Sequence, residues 1–283
     1  RLYTVTKENN KVYTVDLKTR KVTDTVSLPN LGYSCVLSPD EKDLYISLWG
    51  GDEVAVFNTA SQSITSKIKT GSHPNELLLN KKGTILYVAN ANDNSVAVIN
   101  TGTNKVIETL STSLYPTRLT GSTTNGLALS ANGKTLYIAN ADNNCLAVFD
   151  VSSPGNSKSQ GFIPVGWYPT SVKVTGKKIL VSNGKGFTSM ANPNGPQPYL
   201  KEDNSGVHMG SKPNSRLEYI AGLFKGTLSI IDAPGEAQLK AYTRQVYANT
   251  PFTGSKAATG PASTKTLPAR VCARGCPNRH RTG

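Results

Sequence analysis

Polar and aromatic side chains that could hold a ligand recur immediately before short apolar runs along the chain. This set contains a histidine, a glutamate and an arginine together with three aromatic residues: Tyr33, His73, Asn75, Glu76, Arg118, Asn125, Trp167 and Tyr168. If these side chains converge on one opening, they would form a pocket for a small molecule or a peptide. In an alternative interpretation, the aromatic and proline residues only close the packing between structural units, and His73 is a solvated turn residue.

No metal or other cofactor is expected, although two segments superficially resemble cofactor motifs. Cys272, Cys276 and His280 are spaced like zinc ligands, but structural zinc takes four ligands and no fourth Cys or His lies nearby. The segment ALSANGKT (128–135) ends like a phosphate-binding loop, yet Ala128 stands where that motif requires glycine. We therefore expect neither a metal site nor a nucleotide site.

The charge distribution argues against nucleic-acid binding by the body of the chain. The net charge is +13, but Glu236 is the last acidic residue, and residues 256–283 contain six basic residues. The remaining lysines lie mostly in turns rather than beside stacking aromatic residues, as a nucleic-acid surface would require. No apolar run approaches the ~20 residues that span a bilayer, so no membrane-spanning helix is predicted.

An internal repeat indicates the elements that must position these side chains. Equivalent tyrosines lie 42, 42 and 50 residues apart along the chain, at Tyr3, Tyr45, Tyr87 and Tyr137. Around each tyrosine, two short apolar runs flank a cluster of Asn, Asp or Gly, which is typical of a tight β-hairpin. A further turn and apolar run precede most copies, and another run follows them. Four strands in about 42 residues are characteristic of a β-propeller blade.

The predicted fold is therefore an all-β propeller of four-stranded blades. About five blades are expected, the first without its innermost strand, within residues 1–234, and a long inserted loop is expected at 184–216. Ala237, Leu239, Tyr242 and Val246 then repeat at helical spacing, which predicts a short edge helix within 235–250. Residues 251–283 have no such periodicity and predict a basic, disordered tail or linker.

The repeats resemble a known family. LYVAN with SVAVIN, LYIAN with CLAVFD, and the loops at 71–74 and 166–169 are similar to the YVTN-type β-propeller repeat. The stretch GFIPVGWYPTSVKV (161–174) further resembles a bacterial subgroup in which such a propeller precedes a phosphoesterase domain of the alkaline phosphatase superfamily. This resemblance implies seven blades, of which two would be absent here. It also implies an exported protein, periplasmic or extracellular.

The resemblance leads to three functional hypotheses. The main interpretation is a non-catalytic binding or scaffold module whose partner is the downstream phosphoesterase domain, docked through the 184–216 loop. An alternative is a propeller lactonase-like hydrolase, because some propellers with similar repeats cleave cyclic esters with polar residues in the channel. Only His73, Glu76 and Arg118 would serve such chemistry. A second alternative is nucleic-acid binding through residues 256–283.

Overall fold

Short strands with alternating polar and apolar residues pair in chain order, because most strands within a sheet are joined to the next by a tight turn. The computed structural model describes residues 1–115, 121–186 and 225–250. Within these residues, eighteen strands form five antiparallel sheets, which are named blades 1 to 5 in chain order. The predicted all-β propeller of about five blades is confirmed. The 184–216 loop, apart from residues 184–186, and the 251–283 tail lie outside the described residues.

The blades differ in the number of their strands. Blade 1 contains β1 (Leu2–Thr6), β2 (Lys11–Asp16) and β3 (Lys21–Ser27). Blade 2 contains β4 (Gly32–Leu37), β5 (Asp43–Leu48), β6 (Glu53–Asn58) and β7 (Ser63–Lys69). Blade 3 contains β8 (Pro74–Leu79), β9 (Ile85–Asn90), β10 (Ser95–Asn100) and β11 (Lys105–Ser111). Blade 4 contains β12 (Thr124–Leu129), β13 (Thr135–Asn140), β14 (Cys145–Asp150) and β15 (Lys158–Pro164), and blade 5 contains β16 (Trp167–Thr175), β17 (Lys178–Gly186) and β18 (Thr227–Asp232).

The hydrophobic core is divided into layers between successive blades. Strand residues alternate in direction, so one face of each blade packs on the preceding blade and the other face on the following blade. In blade 2, Leu44 and Ile46 pack toward blade 1, whereas Tyr45 packs toward blade 3. The equivalent Tyr87 and Tyr137 are likewise buried against the next blade. The repeated tyrosine is therefore a contact between blades.

The first strand of each complete blade lies nearest its neighbours and forms the inner ring of the assembly. Strands β4, β8, β12 and β16 contact one another in that order. Gly126 shows how closely they approach, because a Cβ at this position would lie 2.8 Å from the Cα of Ser171. In blade 1, β1 occupies the second position, since Tyr3 pairs with Thr14 as Tyr45 pairs with Val56. Within the described residues, blade 1 thus lacks the inner strand, as predicted.

A helix follows blade 5 and covers the outer strand of blade 4. This helix, α1 (Glu236–Ala248), buries Leu239 and Val246, and the Thr243 hydroxyl accepts a hydrogen bond from the Phe162 amide at 2.9 Å. The Tyr247 hydroxyl donates to the Leu114 carbonyl at 2.9 Å. The predicted short C-terminal helix is confirmed. Among the described helices, none has both the length and the apolar character that crossing a bilayer requires.

Candidate active site at the channel mouth

One end of the blades gathers the loops that lead into the inner strands and the hairpins between second and third strands. These hairpins join β5 to β6, β9 to β10, and β13 to β14, and each hydrogen-bonds to a loop that leads into an inner strand. For example, the Ala91 amide donates to the His73 carbonyl at 3.0 Å, and the Ala141 amide donates to the Thr123 carbonyl at 3.1 Å. We name this end the channel mouth.

Three residues that lead into inner strands at the channel mouth adopt a left-handed backbone although none of them is glycine, as do Asp52, Asn94 and Asn144 in the hairpins. His73, Thr123 and Tyr168 have φ angles of 57°, 48° and 60°, and each directly precedes or begins an inner strand. A left-handed conformation costs roughly 1–2 kcal/mol for a residue with a Cβ, so surrounding contacts must hold it in place. The fold therefore imposes strain where β8, β12 and β16 begin, whereas β4 begins without a left-handed residue.

Side chains from the hairpins hold these strained loops. Asp52 Oδ1 accepts a hydrogen bond from the His73 amide at 3.0 Å, and Asn144 Oδ1 accepts one from the Tyr168 amide at 2.8 Å. Asn94 Oδ1 similarly accepts from the Ser122 amide at 2.8 Å. Each hairpin belongs to one blade and each loop leads into the next blade, so these bonds fix neighbouring blades relative to each other.

The structure brings most of the predicted site residues to this end, but not onto loops as expected. Only His73 lies in a loop. The remaining described residues belong to the first positions of inner strands: Tyr33, Asn75, Glu76, Asn125, Trp167 and Tyr168. The loop assignment was wrong because these strands already pair at their first residues, as Pro74 with Asn90 shows. Arg118 lies outside the described residues.

Asn75 and Asn125 join two inner strands to each other. The Asn75 side-chain amide donates to Asn125 Oδ1 and to the Thr124 carbonyl, both at 3.3 Å. The Asn75 carbonyl accepts a hydrogen bond from the Ser47 hydroxyl at 2.7 Å. Asn75 is only 4% exposed, so it stabilises the ring of inner strands rather than facing a ligand.

Glu76 places a single carboxylate one residue further along its inner strand. The register of the blades puts Ser34, Gly126 and Ser171 at the equivalent positions, so only blade 3 carries a charge there. Burial raises the pKa of Glu76, and the positive charge of Lys173 partly opposes that rise. Within the described residues, no hydrogen bond or ion pair engages the carboxylate oxygens. Glu76 is therefore a half-buried group that can accept a proton.

His73 is enclosed by side chains from two hairpins. Its ring lies edge-to-face with Trp49, with 4.2 Å between ring centroids. Its Nδ1 atom lies 2.7 Å from the Ser72 hydroxyl and 3.1 Å from the Asn92 side-chain nitrogen. These contacts immobilise an imidazole beside the strand that carries Glu76.

Two tyrosines at the edge of the channel mouth, which we call the rim, each have a lysine ammonium group above the ring. Lys7 Nζ lies 3.8 Å from the ring centroid of Tyr33, and Lys185 Nζ lies 4.3 Å from that of Tyr168. Burial raises the pKa of Tyr168, with smaller contributions from the charges of Asp142 and Tyr33.

Several residues at this end were missed by the sequence analysis, namely Lys7, Trp49, Asn92, Lys173 and Lys185. Aligning the hairpins of successive repeats would have brought Trp49 and Asn92 to attention, because both stand in the Asn- and Gly-rich hairpin cluster. The lysines carry no such signal, since their importance depends on contacts between blades.

No group of three or more metal-ligating side chains occurs in residues 1–115, 121–186 and 225–250. The zinc-like spacing of Cys272, Cys276 and His280 falls outside these ranges. A cleft of about 410 Å³ does occur between blades 2 and 3, and Lys69, Asp93 and Thr109 are among its lining residues. Neither His73 nor Glu76 lines it, so we place the candidate site at the channel mouth because the reactive groups are there.

Comparison with known proteins identifies a family and several structural relatives. The family model described as "Lactonase, 7-bladed beta-propeller" matches residues 2–106 and 34–186. No curated protein sequence matches the chain. Among solved structures, a periplasmic gluconolactonase of Pseudomonas aeruginosa is 23% identical, with a TM-score of 0.54, and the match covers 62% of this chain and 56% of that one.

Two further structures share the fold at similar distance. A putative 6-phosphogluconolactonase of Bacteroides fragilis is 21% identical, with a TM-score of 0.51 and coverage of 60% of this chain and 56% of that one. Hydrazine synthase of Kuenenia stuttgartiensis is 24% identical, with a TM-score of 0.53 and coverage of 67% and 55%. The chain thus spans little more than half the length of these structures.

The family match overturns the main functional interpretation of the sequence. A non-catalytic scaffold preceding a phosphoesterase domain was the wrong prediction, because the match over residues 2–186 is to lactonases. It favours the alternative hypothesis of a lactonase-like hydrolase. The β-propeller part of the family resemblance is confirmed.

Proposed function

Because the chain belongs to the lactonase family of seven-bladed β-propellers, we propose that it hydrolyses cyclic esters at the channel mouth. The observation that carries this proposal is the isolated carboxylate of Glu76, half-buried on an inner strand where the equivalent residues are serine or glycine. The names of two structural relatives refer to gluconolactone and 6-phosphogluconolactone. Lactones of sugar acids are therefore the substrate class to test first.

Glu76 acts as the general base in the proposed reaction. Its carboxylate takes one proton from a water molecule, whose oxygen forms a bond to the carbonyl carbon of the lactone. A base with a raised pKa removes a proton from water more effectively than an ordinary carboxylate does. The tetrahedral intermediate then breaks its bond to the ring oxygen, which takes the proton back from Glu76. The product is the open-chain hydroxy acid.

Lys173 supplies positive charge while the reaction proceeds. Attack of water turns the lactone carbonyl oxygen into an oxyanion, and a nearby fixed cation stabilises that charge most where water is excluded. Lys173 lies on inner strand β16 and is close enough to Glu76 to influence its pKa. Its positive charge opposes the rise that burial causes in the pKa of Glu76 and also attracts an anionic product.

The rim residues bind the substrate in this proposal. Trp167 is 38% exposed, and the rings of Tyr33 and Tyr168 stand beside lysines, so the rim offers apolar faces together with cationic groups. A sugar-acid lactone has both hydroxyl groups and apolar C–H faces, and aromatic rings pack well on the latter. The participation of Arg118 remains a prediction from sequence.

The test measures lactone opening by the purified chain. Hydrolysis of δ-gluconolactone is followed by base uptake at constant pH, with the spontaneous rate subtracted. Glu76→Gln preserves the size of the side chain but cannot take a proton, so we expect it to lower kcat by about 100-fold or more. Asp40→Asn, at the opposite end of the blades, is the matched control and retains the wild-type rate. Wild-type activity in Glu76→Gln would refute the assignment of Glu76.

Two finer assignments accompany this proposal. The motifs LYVAN and LYIAN support membership of the YVTN-type repeat group within the propellers. The same resemblance supports export to the periplasm or the cell exterior. Fractionation of cells that express the full-length protein tests the second assignment, and recovery from the cytoplasm alone would contradict it.

A further inference from the structure

Hydrogen-bond donors on one side of the His73 ring restrict the position of its proton. Asn92 directs its side-chain NH₂ group at Nδ1 over 3.1 Å, and the Ser72 hydroxyl lies 2.7 Å from the same atom. In this orientation the amide NH₂ group of Asn92 donates, and Nδ1 is the acceptor. In a neutral imidazole the proton then resides on Nε2. Within the described residues, no hydrogen bond engages Nε2, which leaves it available to a ligand.

The neighbouring blade uses the same geometry with the opposite polarity. Asn92 in the β9–β10 hairpin corresponds to Asp142 in the β13–β14 hairpin, and His73 corresponds to Thr123. The Thr123 hydroxyl donates to the Asp142 carboxylate. In both blades, the second hairpin residue therefore bonds to the side chain of the strained residue before the inner strand. Asp142 accepts a hydrogen bond from that side chain, whereas Asn92 donates one to it.

We infer that Asn92 is a positioning residue that holds His73 in the Nε2–H tautomer, so that His73 donates a hydrogen bond to the bound ligand. Where catalysis is concerned, this inference rests on the proposed lactone hydrolysis. In the proposed reaction, two residues of blade 3 at the channel mouth have different roles. Glu76 accepts the proton of the attacking water, and Nε2–H of His73 donates to the oxygen on which negative charge develops.

One ring contact and two backbone hydrogen bonds hold His73 in place without Asn92. The edge-to-face contact with Trp49 limits rotation of the imidazole, and Asp52 binds the His73 amide at 3.0 Å. The Ala91 amide binds the His73 carbonyl at 3.0 Å. Because these contacts do not involve the ring nitrogens, replacing Asn92 changes the tautomer while leaving the position of His73 largely intact. Asn92 is itself exposed, so its replacement leaves no cavity.

Replacing Asn92 by aspartate gives the sharpest test. A carboxylate at this position accepts a hydrogen bond from Nδ1–H, which moves the proton away from Nε2. The ¹⁵N NMR shifts of the two ring nitrogens report the tautomer directly in the full chain at neutral pH, with the His73 signals identified by their loss in His73→Gln. We expect a protonated Nε2 in the wild type and a protonated Nδ1 in Asn92→Asp. The matched control, Asp142→Asn, leaves the His73 spectrum unchanged.

Measurements of kcat and KM on the Asn92 variants test whether the tautomer of His73 affects turnover. Removing a hydrogen-bond donor from a developing oxyanion typically costs about 100-fold or more in kcat, so Asn92→Asp should lose activity on that scale. The KM should change much less, because the ring stays in place. Asn92→Ala, which allows both tautomers, should show an intermediate loss.

The outcomes separate the two proposals. A protonated Nδ1 in the wild type, or an unchanged tautomer in Asn92→Asp, overturns the role of Asn92 whatever the activity. If the tautomers switch as expected but the wild type opens no lactone, the positioning role of Asn92 stands and the proposed function fails. If the tautomers switch and kcat does not fall, His73 is not the hydrogen-bond donor in the reaction.

Discussion

The turns and loops at the two ends of the blades are held by different sets of hydrogen bonds. At the end opposite the channel mouth, several turns satisfy part of their own backbone. Asp16 Oδ1, for example, accepts hydrogen bonds from the Lys18 and Thr19 amides, both at 2.8 Å, and Asp150 accepts one from the Ser152 amide at 2.9 Å. These bonds lower the pKa of both carboxyl groups. Some bonds at this end also join neighbouring blades, since the Glu108 carboxylate of blade 3 accepts hydrogen bonds from the Gly155 and Ser157 amides of blade 4.

At the channel mouth, by contrast, hydrogen bonds run from one blade to the loop of the next. Non-glycine residues with a left-handed backbone occur at both ends, for example His73 at the mouth and Glu41 at the opposite end. At the mouth, the carboxylate of Glu76 is also half-buried without a hydrogen-bond partner among the described residues. An arrangement of this kind sacrifices local stability for the fixed position of reactive groups. The half-buried carboxylate of Glu76, rather than the backbone conformation, is what marks the mouth as the candidate functional end.

Glycine-to-alanine substitutions at the two ends should give the largest difference in stability. At the mouth, a Cβ on Gly166 would lie 2.7 Å from the Asn183 side chain and 2.8 Å from the Gly186 carbonyl oxygen. We expect Gly166→Ala to lower the free energy of unfolding by about 3 kcal/mol. At the other end, Gly133 has a φ of 71° with nothing within 4 Å of the added Cβ, so Gly133→Ala should cost only about 1 kcal/mol. Denaturant unfolding of both variants checks the comparison, and equal losses would contradict it.

Hairpin side chains should show a smaller contrast in the same direction. Asn144→Ala removes the acceptor for the Tyr168 amide and places alanine at a φ of 53°, so we expect a loss of about 2 kcal/mol. Asn144→Gly tolerates that backbone and should lose about half as much. Asn132→Ala, in a turn at the opposite end, breaks hydrogen bonds to Ser130 and Lys134 only, and should cost about 1 kcal/mol. Thermal unfolding monitored by circular dichroism measures all three variants. A cost for Asn132→Ala as large as that for Asn144→Ala would remove the distinction between the ends.

Glu76 at the mouth and Asp40 at the opposite end should contribute pH dependences of stability with opposite signs. We expect these contributions to be smaller than the losses of stability in the substitutions above. Burial raises the pKa of Glu76 above 4.5, so the folded state binds more protons than the unfolded state between 4.5 and the raised pKa. This group therefore makes the protein less stable as the pH rises through that window, and Glu76→Gln should remove the loss.

Asp40 provides the matched comparison for this titration. A hydrogen bond from the Ser38 hydroxyl lowers the pKa of Asp40 below 3.8. Its contribution is present above that value and disappears as the pH falls through the lowered pKa, and Asp40→Asn should abolish it. Urea unfolding across the acid range, in both variants and the wild type, measures the two slopes. Slopes of the same sign would refute the contrast.

The repeat made much of the fold predictable, because the spacing of Tyr3, Tyr45, Tyr87 and Tyr137 reports a contact that recurs at every blade interface. The absence of an inner strand in blade 1 followed from aligning Tyr3 with the others. The short helix after Pro234 was also evident from its period. These features depend on local pattern, which a single sequence contains.

The candidate site was less accessible to sequence reasoning. Residue types at the mouth drew attention to His73 and Glu76, but their strand and loop positions depend on how early each inner strand begins to pair. The contact of Trp49 with His73 and the influence of Lys173 on Glu76 join residues from different blades. Such relations arise only when the blades are arranged around a common axis, and no spacing along the chain encodes them.

Helix α1 changes how the blades respond to thermal fluctuation. In an array where each repeat touches only its neighbours, unfolding starts at an end and proceeds repeat by repeat. Here α1 follows blade 5, covers the outer strand of blade 4, and reaches the segment leaving blade 3 through the bond from Tyr247 to Leu114. It therefore couples blades beyond nearest neighbours, and we expect fraying of blade 5 to loosen the two blades before it, so that the last three blades melt together.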